Sequence, residues 1–344
     1  MPAESSKLKA HIKSHGDFIK GILLPFLGMT VSFCLIGCIT APPSWKPLIV
    51  EKGVINCNTT WENEVIVKGD VEIARGATLT IMPGTAVRFL KIEANGPANL
   101  YAEDKTQHFP RAELIIRGKI LAQGTKDRMI LFTSAEQSPR PGDWGAINLL
   151  DTEDNILEYC EISYGHTSVH GHGGQVTVTN CYLHDNGVAI GHKTVKEFKT
   201  KGSMTIAYNR ITGNGGGILC SKDSTTMIIH NQISNNKFFG IYGKKALSTH
   251  VRYNNITHNG KGIILWITQG FSISENNIAD NEKHNISLME GQVWDVDVGH
   301  NWLGTRDEKR IEDLIWDKDE DETLGKVDFS DSADSPIERA GVPD

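Results

Sequence analysis

The stretch "RYNNITHNGKGI" at residues 252–263 has two close relatives earlier in the chain, "AYNRITGNGGGI" at 207–218 and "IHNQISNNKFFGI" at 229–241. Each copy places an Asn two residues before an Ile, a second Asn five residues after the first, and then a Gly-Ile pair. The first Asn residues follow one another at intervals of 22 and 23 residues. A fixed interval of this size is typical of a solenoid, in which each repeat buries its apolar face against its neighbours.

The same register continues in both directions along the chain. The position two before the aliphatic residue is held by Cys160, Cys181, Asn209, Asn231, Asn254, Asn276 and Asn301. The position five residues later is held by Asn186, Asn214, Asn236, Asn259 and Asn281. Between them lie short β-prone apolar runs separated by Asn and Gly, without helical spacing. The pattern predicts an all-β fold, a right-handed parallel β-helix with coils of about 22 residues.

Asn tolerates left-handed backbone conformations, and identical amide side chains in stacked coils can hydrogen-bond to one another. We therefore interpret the repeated Asn residues as structural ladders at the turns, with the following Ile pointing into the core. Eight residues carry this interpretation: Asn209, Asn231, Asn254, Asn276, Asn214, Asn236, Asn259 and Asn281.

Earlier segments also alternate short apolar runs with glycine-containing turns, and they resemble a known group of proteins. The phrases "GATLTIMPGTAVRF" (76–89), "GKILAQGT" (118–125) and "DWGAI" (143–147) resemble the N-terminal coils of bacterial exported right-handed β-helix proteins with the pectin-lyase-like fold. "HNWLGTRDEKRIEDLIWDKDED" (300–321) resembles the end segment of that group, and predicts a short C-terminal capping helix with Thr305 and Glu308 as a capping box. The resemblance implies the fold for most of the chain, but it implies little about function, because this fold hosts unrelated activities.

The N-terminus has the features of an export signal. Four lysines precede the apolar run "GILLPFLGMTVSFCLIG" at 21–37, which is short for a membrane span. The run ends in Leu35-Ile36-Gly37-Cys38, which resembles the lipobox of bacterial lipoproteins and implies a lipidated Cys38; an uncleaved signal anchor is the alternative. Since Ile39 follows instead of Asp, the resemblance favours the outer membrane, on either face. We divide the chain into signal peptide (1–37), tether (38–50), β-helix with end caps (51–330) and acidic tail (331–344).

Charge and cysteine content limit the partners. The net charge is −7, yet residues 307–344 contain 14 acidic and 5 basic residues, so the rest of the chain is nearly neutral. A basic stripe of the kind that binds nucleic acid is absent from the sequence. Beyond Cys38, the thiols of Cys57, Cys160, Cys181 and Cys220 are widely spaced, unlike a small disulfide scaffold, and their pairing stays open.

Two departures from the period suggest sites. The 28-residue interval between Cys181 and Asn209 contains a lysine-rich loop, 193–202, which is either a site for an anionic group or a solvated insertion. The stretch "SYGHTSVHGHGGQ" (163–175) gathers histidines, and Cys220 aligns with His192 in the register. A transition-metal site, by distant analogy with a periplasmic β-helix protein that assists copper insertion, competes with a solvent-facing turn. The candidate metal ligands are His166, His170, His172 and His184.

Catalytic signatures are incomplete. "HGHGG" at 170–174 contains the Gly-His-Gly triplet of galacturonan hydrolases, but the acidic motifs that should precede it are missing. We therefore expect a lipid-anchored envelope protein without catalytic activity, which acts as a scaffold or binds a polysaccharide or an envelope protein. A uronate lyase or glycoside hydrolase and a copper-handling protein are the alternatives. The candidates for a stacking surface are Trp144, Trp266, Trp294 and Trp302.

Overall fold

The computed structural model describes residues 46–193, 198–199, 201–222 and 225–343. Within them the chain winds through three strands per coil, one in each of three parallel sheets, named here A, B and C. Each strand pairs in parallel with the equivalent strand one coil later, as Gln232 does with Asn255 and Asn255 with Asn277. The predicted right-handed parallel β-helix is confirmed. Cys38 and the segment predicted to be a signal peptide, 1–37, lie outside the described residues.

The strands are short, because each coil turns three corners in about 22 residues. In the described residues sheet A consists of β1 (Leu48–Val50), β4 (Glu64–Val67), β7 (Ala86–Phe89), β10 (Ile130–Ser134), β13 (Cys160–Ser163), β16 (Tyr182–His184), β19 (Arg210–Thr212), β22 (Gln232–Ser234), β25 (Asn255–Thr257) and β28 (Asn277–Ala279). Sheet B, in the same ranges, consists of β2 (Gly53–Ile55), β5 (Val71–Ile73), β8 (Leu114–Ile116), β11 (Ile147–Leu150), β14 (Thr167–His172), β17 (Val188–Lys193), β20 (Gly216–Ser221), β23 (Phe239–Lys244), β26 (Ile263–Trp266), β29 (Ile286–Leu288) and β31 (Ile315–Trp316). Sheet C consists of β3 (Thr59–Trp61), β6 (Thr78–Ile81), β9 (Lys119–Gln123), β12 (Asn155–Glu158), β15 (Gln175–Thr179), β18 (Ser203–Ala207), β21 (Thr225–Ile229), β24 (Ser248–Arg252) and β27 (Phe271–Ser274).

The core is a set of aliphatic columns inside the coil. In sheet A the inward position is occupied in successive coils by fully buried residues, namely Ile162, Leu183, Ile211, Ile233, Ile256 and Ile278. Full burial of one such side chain stabilises the fold by roughly 1.5–3 kcal/mol relative to exposure. These are the Ile and Leu residues of the sequence repeat, and each therefore binds its coil to the next.

Two Asn ladders follow the corners on either side of sheet A. In the first, the Asn231 backbone N–H and amide both donate to Asn254 Oδ1 at 2.9 Å, and Asn254 bonds to Asn276 in the same way. The second repeats this geometry from Asn186 to Asn281, beginning with Asn186 on Asn214. The first ladder continues upward through thiols, because the Cys181 N–H donates to Asn209 Oδ1 and the Cys160 N–H to Cys181 Sγ.

Most corners place one residue in the left-handed region. Immediately before the first ladder stands a column of such residues with φ between 47° and 59°, called here the turn column. Its members are Tyr159, Asn180, Tyr208, His230, Tyr253, Glu275 and His300. Because the left-handed conformation turns the chain outward, these side chains stand on the surface while the next residue points inward.

The ends of the solenoid differ from the expected boundaries. Leu48–Val50 already pairs with residues 65–67, so the first coil begins inside the segment assigned to the tether. At the other end α1 (Glu308–Glu312) is the helix of the described residues, and its N-cap is Asp307, whose side chain accepts from the Arg310 N–H. The predicted capping box is therefore wrong: Thr305 Oγ1 accepts from the Asp307 N–H instead. A two-stranded pair, β30 (Val296–Asp297) and β32 (Val327–Asp328), lies beside the end.

Residues 331–343, set apart in the sequence as an acidic tail, run back along sheet A. The Ile337 N–H donates to Asn277 Oδ1 at 2.7 Å, and Asn277 Nδ2 donates to the Ile337 carbonyl at 3.1 Å. Further along, the Gly341 N–H donates to the Tyr253 carbonyl, and the Arg339 guanidinium lies 4.3 Å from the centre of the Tyr253 ring. Across the described ranges, helices with the length and apolar character needed to cross a bilayer are absent.

Candidate functional site

Three of the four predicted metal ligands lie together on the outer side of sheet B. His170 and His172 are two residues apart on β14, so both point away from the core, and their ring centres are 4.3 Å apart. Phe109, from the long loop before β8, packs between His166 and His170 with ring-centre distances of 5.2 Å and 5.1 Å. The structure therefore forms a line of imidazoles with an aromatic ring inserted in it.

His184 does not join this line. It lies on β16 in sheet A, on a different side of the coil, where its ring stacks on Tyr182 at 4.3 Å. Its Nδ1 lies 2.7 Å from Asp185 Oδ2 and its Nε2 lies 3.3 Å from Glu161 Oε1. Sequence distance could not separate this histidine from the others, because one coil of sequence covers all three sheets.

A second group of potential ligands lies inside the coil. His192 on β17 pairs in register with Cys220 on β20, and both side chains point inward and are buried. A Cβ on Gly171 would stand 2.8 Å from Met204 Cε and 3.0 Å from His192 Cδ2, so the absence of a side chain there lets these two groups approach. Imidazole, thioether and thiol thus share one part of the core.

The protonation of this buried group follows from its surroundings. Burial lowers the pKa of His192 to about 4, so the ring is neutral. Burial raises the pKa of the Cys220 thiol to about 12. His192 Nδ1 lies 3.3 Å from the Thr226 hydroxyl, and a hydrogen bond from the ring to the Gly174 backbone opposes part of the lowering of its pKa. A Cβ on Gly202 would stand 2.5 Å from Nε2, so backbone also packs against this side of the ring. A neutral imidazole is a metal ligand in kind, but this one is enclosed in a buried polar network.

Buried carboxylates lie beneath the loop of residues 91–112. Glu113 is fully buried and accepts from the Phe109 N–H at 2.7 Å and from Asn148 Nδ2 at 2.5 Å. Asp70, 1% exposed, accepts from the Leu100 N–H at 2.6 Å. Burial raises the pKa of Glu113 to about 7. Since neither carboxyl reaches solvent, both hold the loop onto sheet B and neither can flank a glycosidic bond.

A surface groove at the corner between sheets B and C is lined by three further acids, those of the sequence "DTEDN" at 151–155. Two of them are paired with cations: Asp151 Oδ2 lies 2.7 Å from the Arg75 guanidinium, and Asp154 Oδ2 lies 3.1 Å from Lys119 Nζ. The third, Glu153, is exposed. The groove therefore combines one exposed carboxylate with two ion pairs.

Aromatic and lysine side chains cluster on the outer side of sheet B, around β23 and β26. Here the lysine–aromatic face consists of Phe238, Phe239, Tyr242, Lys244, Lys245 and Trp266. Lys244 Nζ and Lys245 Nζ lie 4.8 Å and 5.3 Å from the centre of the Trp266 ring, and Phe239 packs edge-on against Tyr242 at 5.6 Å. Phe238 is 59% exposed, with Lys237 Nζ 5.1 Å above its ring.

Positive charge on this face is uncompensated within the described residues. Lys237, Lys244, Lys245 and the neighbouring Lys261 take part in none of the ion pairs found there. Burial and the nearby Lys283 lower the pKa of Lys261. Ammonium groups without acid partners, over aromatic rings of which Phe238 is exposed and Tyr242 and Trp266 are half-buried, form a surface with the chemistry to bind an anion.

The predicted tryptophan surface is only partly present. Trp266 belongs to the lysine–aromatic face, but Trp144 is fully buried and stacks on Phe89 at 4.4 Å, so it is a core residue. Trp294 is 40% exposed at another corner, and Trp302 bridges to Asn277 at the coil end. The sequence analysis missed Phe238, Phe239 and Tyr242. The signal for them was the run "KFFGIYGKK" at 237–245, in which aromatic and basic residues alternate with core positions.

Comparison with known proteins places the chain in a family. The family described as "Periplasmic copper-binding protein (NosD)" matches residues 132–321, and a "Pectate-lyase like beta helix domain" matches residues 53–176. The chain belongs to the NosD family. The matched region contains the histidine line, the buried His192 group and the lysine–aromatic face. The sequence resemblance to the pectin-lyase-like β-helix group is confirmed. No curated protein matches the chain.

Solved structures similar to this NosD-family chain are distant. The A-module of the mannuronan C-5 epimerase AlgE6 of Azotobacter vinelandii is 15% identical, with 76% of this chain and 79% of that chain covered and a TM-score of 0.36. The periplasmic alginate epimerase AlgG is 12% identical, with 84% and 83% covered and a TM-score of 0.38.

Copper, the metal in the family description, can be tested against the residues of this NosD-family chain. Imidazole, thioether and thiol are ligands that soft metals prefer, so His192, Met204 and Cys220 fit in kind. They are not assembled as a site, because Thr226 bonds to His192 on the side of Cys220. Across the described ranges, no group of three or more His, Cys, Asp and Glu side chains is placed to hold a metal ion.

Proposed function

We propose that the protein is a non-catalytic component of the cell envelope, anchored by lipid at Cys38, whose lysine–aromatic face binds an anionic polysaccharide. The description of the family as periplasmic supports the envelope location. The lipobox resemblance supports the anchor, and firm attachment would need more than one acyl chain. The observation that carries the binding proposal is the position of Lys244 Nζ and Lys245 Nζ over the half-buried Trp266 ring on the outer side of sheet B.

Charge and ring geometry favour a carbohydrate over a simple counter-ion. The apolar faces of sugar rings stack on aromatic side chains, and the face offers rings on β23 and β26, which are adjacent strands. Adjacent strands lie roughly 5 Å apart, so aromatic and ammonium groups recur along the coil axis at a spacing near the length of one sugar residue. Lys244 and Lys245, adjacent at the end of β23 and both over the Trp266 ring, would complement a carboxylate of a uronate polymer bound there.

The absence of an acid–base arrangement on this face favours binding without cleavage. The residues that define the face include no carboxylate, while Asp70 and Glu113 are buried elsewhere. Two carboxyl groups must flank a scissile glycosidic bond at a definite separation. The proposed role is therefore to hold a polymer along a rigid surface.

The test is binding of polygalacturonate to the full-length protein in detergent, measured by calorimetry at low and high salt. The double variant Lys244→Gln/Lys245→Gln should bind roughly tenfold or more weakly, because charge-assisted hydrogen bonds contribute about 1.5–3 kcal/mol each. The matched control, Lys309→Gln/Lys318→Gln, removes the same charge from exposed lysines at the C-terminal end and should bind like wild type.

The same samples test the rest of the proposal. Release of unsaturated or reducing-end products would contradict the non-catalytic role. Equal binding by the face variant and the control would contradict the site. Binding of anionic vesicles or nucleic acid, with none of polygalacturonate, would replace the polysaccharide by another class of ligand.

A second candidate function is the handling of a soft metal, favoured by membership of the NosD family and by the buried imidazole of His192 in register with Cys220. The buried imidazole is neutral near neutral pH, as a metal ligand must be. His170 and His172, of which His172 is buried, would provide a second pair of imidazoles on the outer side of sheet B. This function and polymer binding use different residues, so one can be lost without the other.

A further inference from the structure

The turn column contains a stack of aromatic rings with one interruption. Tyr208 stacks on His230 with ring centres 5.1 Å apart and planes 4° from parallel, and His230 stacks on Tyr253 at 5.0 Å and 15°. These spacings are those of successive coils. Two coils before Tyr208 the column has another ring, Tyr159, but the position between them is Asn180. The stack therefore lacks one ring at Asn180.

A pocket occupies the site of the missing ring. Its volume is about 500 Å³, and it is lined by Tyr159, Asn180, Tyr208, Tyr182, Lys126 and Arg210 among others. Val342 and Pro343, at the end of the segment that runs back along sheet A, also contribute to the lining. The buried residue behind Asn180 is Cys181, so the pocket is closed on the core side.

The dimensions suit a single ring. Neighbouring parallel strands lie about 4.8 Å apart, so positions two coils apart are separated by roughly 10 Å. Carbon atoms in contact lie about 3.5–4.0 Å apart. One puckered six-membered ring between Tyr159 and Tyr208, in contact on both faces, would fill this space. The side chain of Asn180 is too short to do so.

The charge of the pocket selects an anion. Neither Lys126 nor Arg210 takes part in an ion pair found in the described residues. The guanidinium of Arg can bind a carboxylate through two parallel hydrogen bonds. Tyr182, the register neighbour of Arg210, adds a hydroxyl group for a polar ring substituent. Ring stacking and carboxylate recognition thus meet in one pocket.

We propose that this pocket, called here the ring slot, binds one uronic acid residue stacked between Tyr159 and Tyr208, with its carboxylate on Arg210 and Lys126. The proposal deepens the proposed function, since it names a subsite for a single anionic sugar. The ring slot shares no residue with the lysine–aromatic face. It can therefore be correct when the face is not, and the reverse.

The proposal is tested by a substitution that fills the ring slot with a side chain. Asn180→Tyr restores the missing ring, in a backbone conformation that Tyr159, Tyr208 and Tyr253 already adopt in the same column. Binding of trigalacturonate to the full-length protein, measured by calorimetry, should then weaken at least roughly tenfold, as expected for the loss of stacking and of a charge-assisted bond. The matched control, Asn180→Gly, retains the left-handed conformation and leaves the slot open, and should bind within about twofold of wild type.

A second variant keeps the proposal testable if the first does not fold. Arg210→Gln should weaken trigalacturonate binding by roughly tenfold. The neutral analogue, trigalactose, should bind weakly to the wild type and be unaffected by this variant. Wild-type affinity in Asn180→Tyr or Arg210→Gln would overturn the proposal, as would equal binding of the neutral sugar.

The Lys244→Gln/Lys245→Gln variant separates this result from that of the face. It should bind trigalacturonate like wild type if the ring slot is the subsite, even where its binding of the long polymer is lost. Loss of trigalacturonate binding in the face variant, with wild-type binding in Arg210→Gln, would assign the short ligand to the face and reject the ring slot.

Discussion

Removal of one amide from the middle of a ladder tests the physical basis of this fold. Asn254 is fully buried, and its Nδ2 donates to the Ile228 carbonyl at 2.8 Å, the Arg252 carbonyl at 2.9 Å and Asn276 Oδ1 at 2.9 Å. Its Oδ1 accepts from the backbone N–H and the amide of Asn231, both at 2.9 Å. Asn254→Ala therefore removes five hydrogen bonds from one side chain.

The cost follows from what remains unpaired. A buried hydrogen bond contributes about 0.5–1.5 kcal/mol net, and a buried donor left without a partner costs about 1–3 kcal/mol. The Asn231 amide keeps its bond to the Ile206 carbonyl, but the Asn231 backbone N–H loses Asn254 Oδ1 as its acceptor. The total is less than the sum over five bonds, because the Asn231 amide keeps another acceptor. We therefore expect the free energy of unfolding to fall by about 3–5 kcal/mol.

The assay is urea unfolding followed by circular dichroism, with Asn235→Ala as control. Asn235 stands at an exposed left-handed corner position, one residue before the second ladder, so its change tests corner strain without any ladder bond. The control should lose about 1 kcal/mol. If Asn254→Ala lost no more than the control, the ladders would not be what holds consecutive coils in register.

A related substitution adds a pH dependence of known sign. In Asn254→Asp the new carboxyl would face the Ile228 and Arg252 carbonyls without a proton to donate, so burial should raise its pKa above the unfolded value. The folded state then binds the proton more tightly, so stability relative to wild type should be greatest below the unfolded pKa and should fall as pH rises from there through the raised folded pKa. A variant that is least stable in acid would contradict this reasoning.

Two further predictions concern the anchor and the metal. Cys38→Ser should release the protein from the membrane fraction and abolish acyl labelling, and continued membrane association would contradict lipidation. If the buried group handles a soft metal, His192→Ala should lose Cu(I) bound in equilibrium dialysis under anaerobic conditions, as should His170→Ala/His172→Ala for the pair on the outer side of sheet B. His184→Ala, on another sheet, should retain it; equal copper content in all of these proteins would exclude the function.

The architecture was predictable from the sequence because the residues that face the core repeat from coil to coil. An Asn followed two residues later by Ile recurs once per coil from Asn209 to Asn276, because the corner before sheet A holds a buried amide and the next inward position holds an aliphatic side chain. The outer positions of the same strands have no such repeated requirement. Tyr242 and Lys244 lie outside the core, so the alternation that reveals Ile241 says nothing about what its neighbours do.

Side-chain contacts between segments that are distant in sequence could not be predicted either. His166 and His170 are joined through Phe109, which comes from a loop far away in sequence, while His184 is close in sequence but on another sheet. The return of residues 331–343 along sheet A depends on Asn277. This outward amide cannot be distinguished by type from the inward ladder residue Asn276 beside it.

The turn column shows how structure and recognition can share one position. Gly, Asn and Asp adopt the left-handed conformation of a corner with the least strain. A larger side chain there raises the conformational free energy of the folded state by roughly 1–2 kcal/mol. Tyr208, His230 and Tyr253 accept that cost, and aromatic stacking at about 0.5–1.5 kcal/mol per pair offsets part of it. Tyr208 has a stacking partner on its His230 side, and it lines the pocket at Asn180, where Lys126 and Arg210 converge. A ligand ring at that point would complete the stack, so the same energetics that retain tyrosine at a strained corner would contribute to binding.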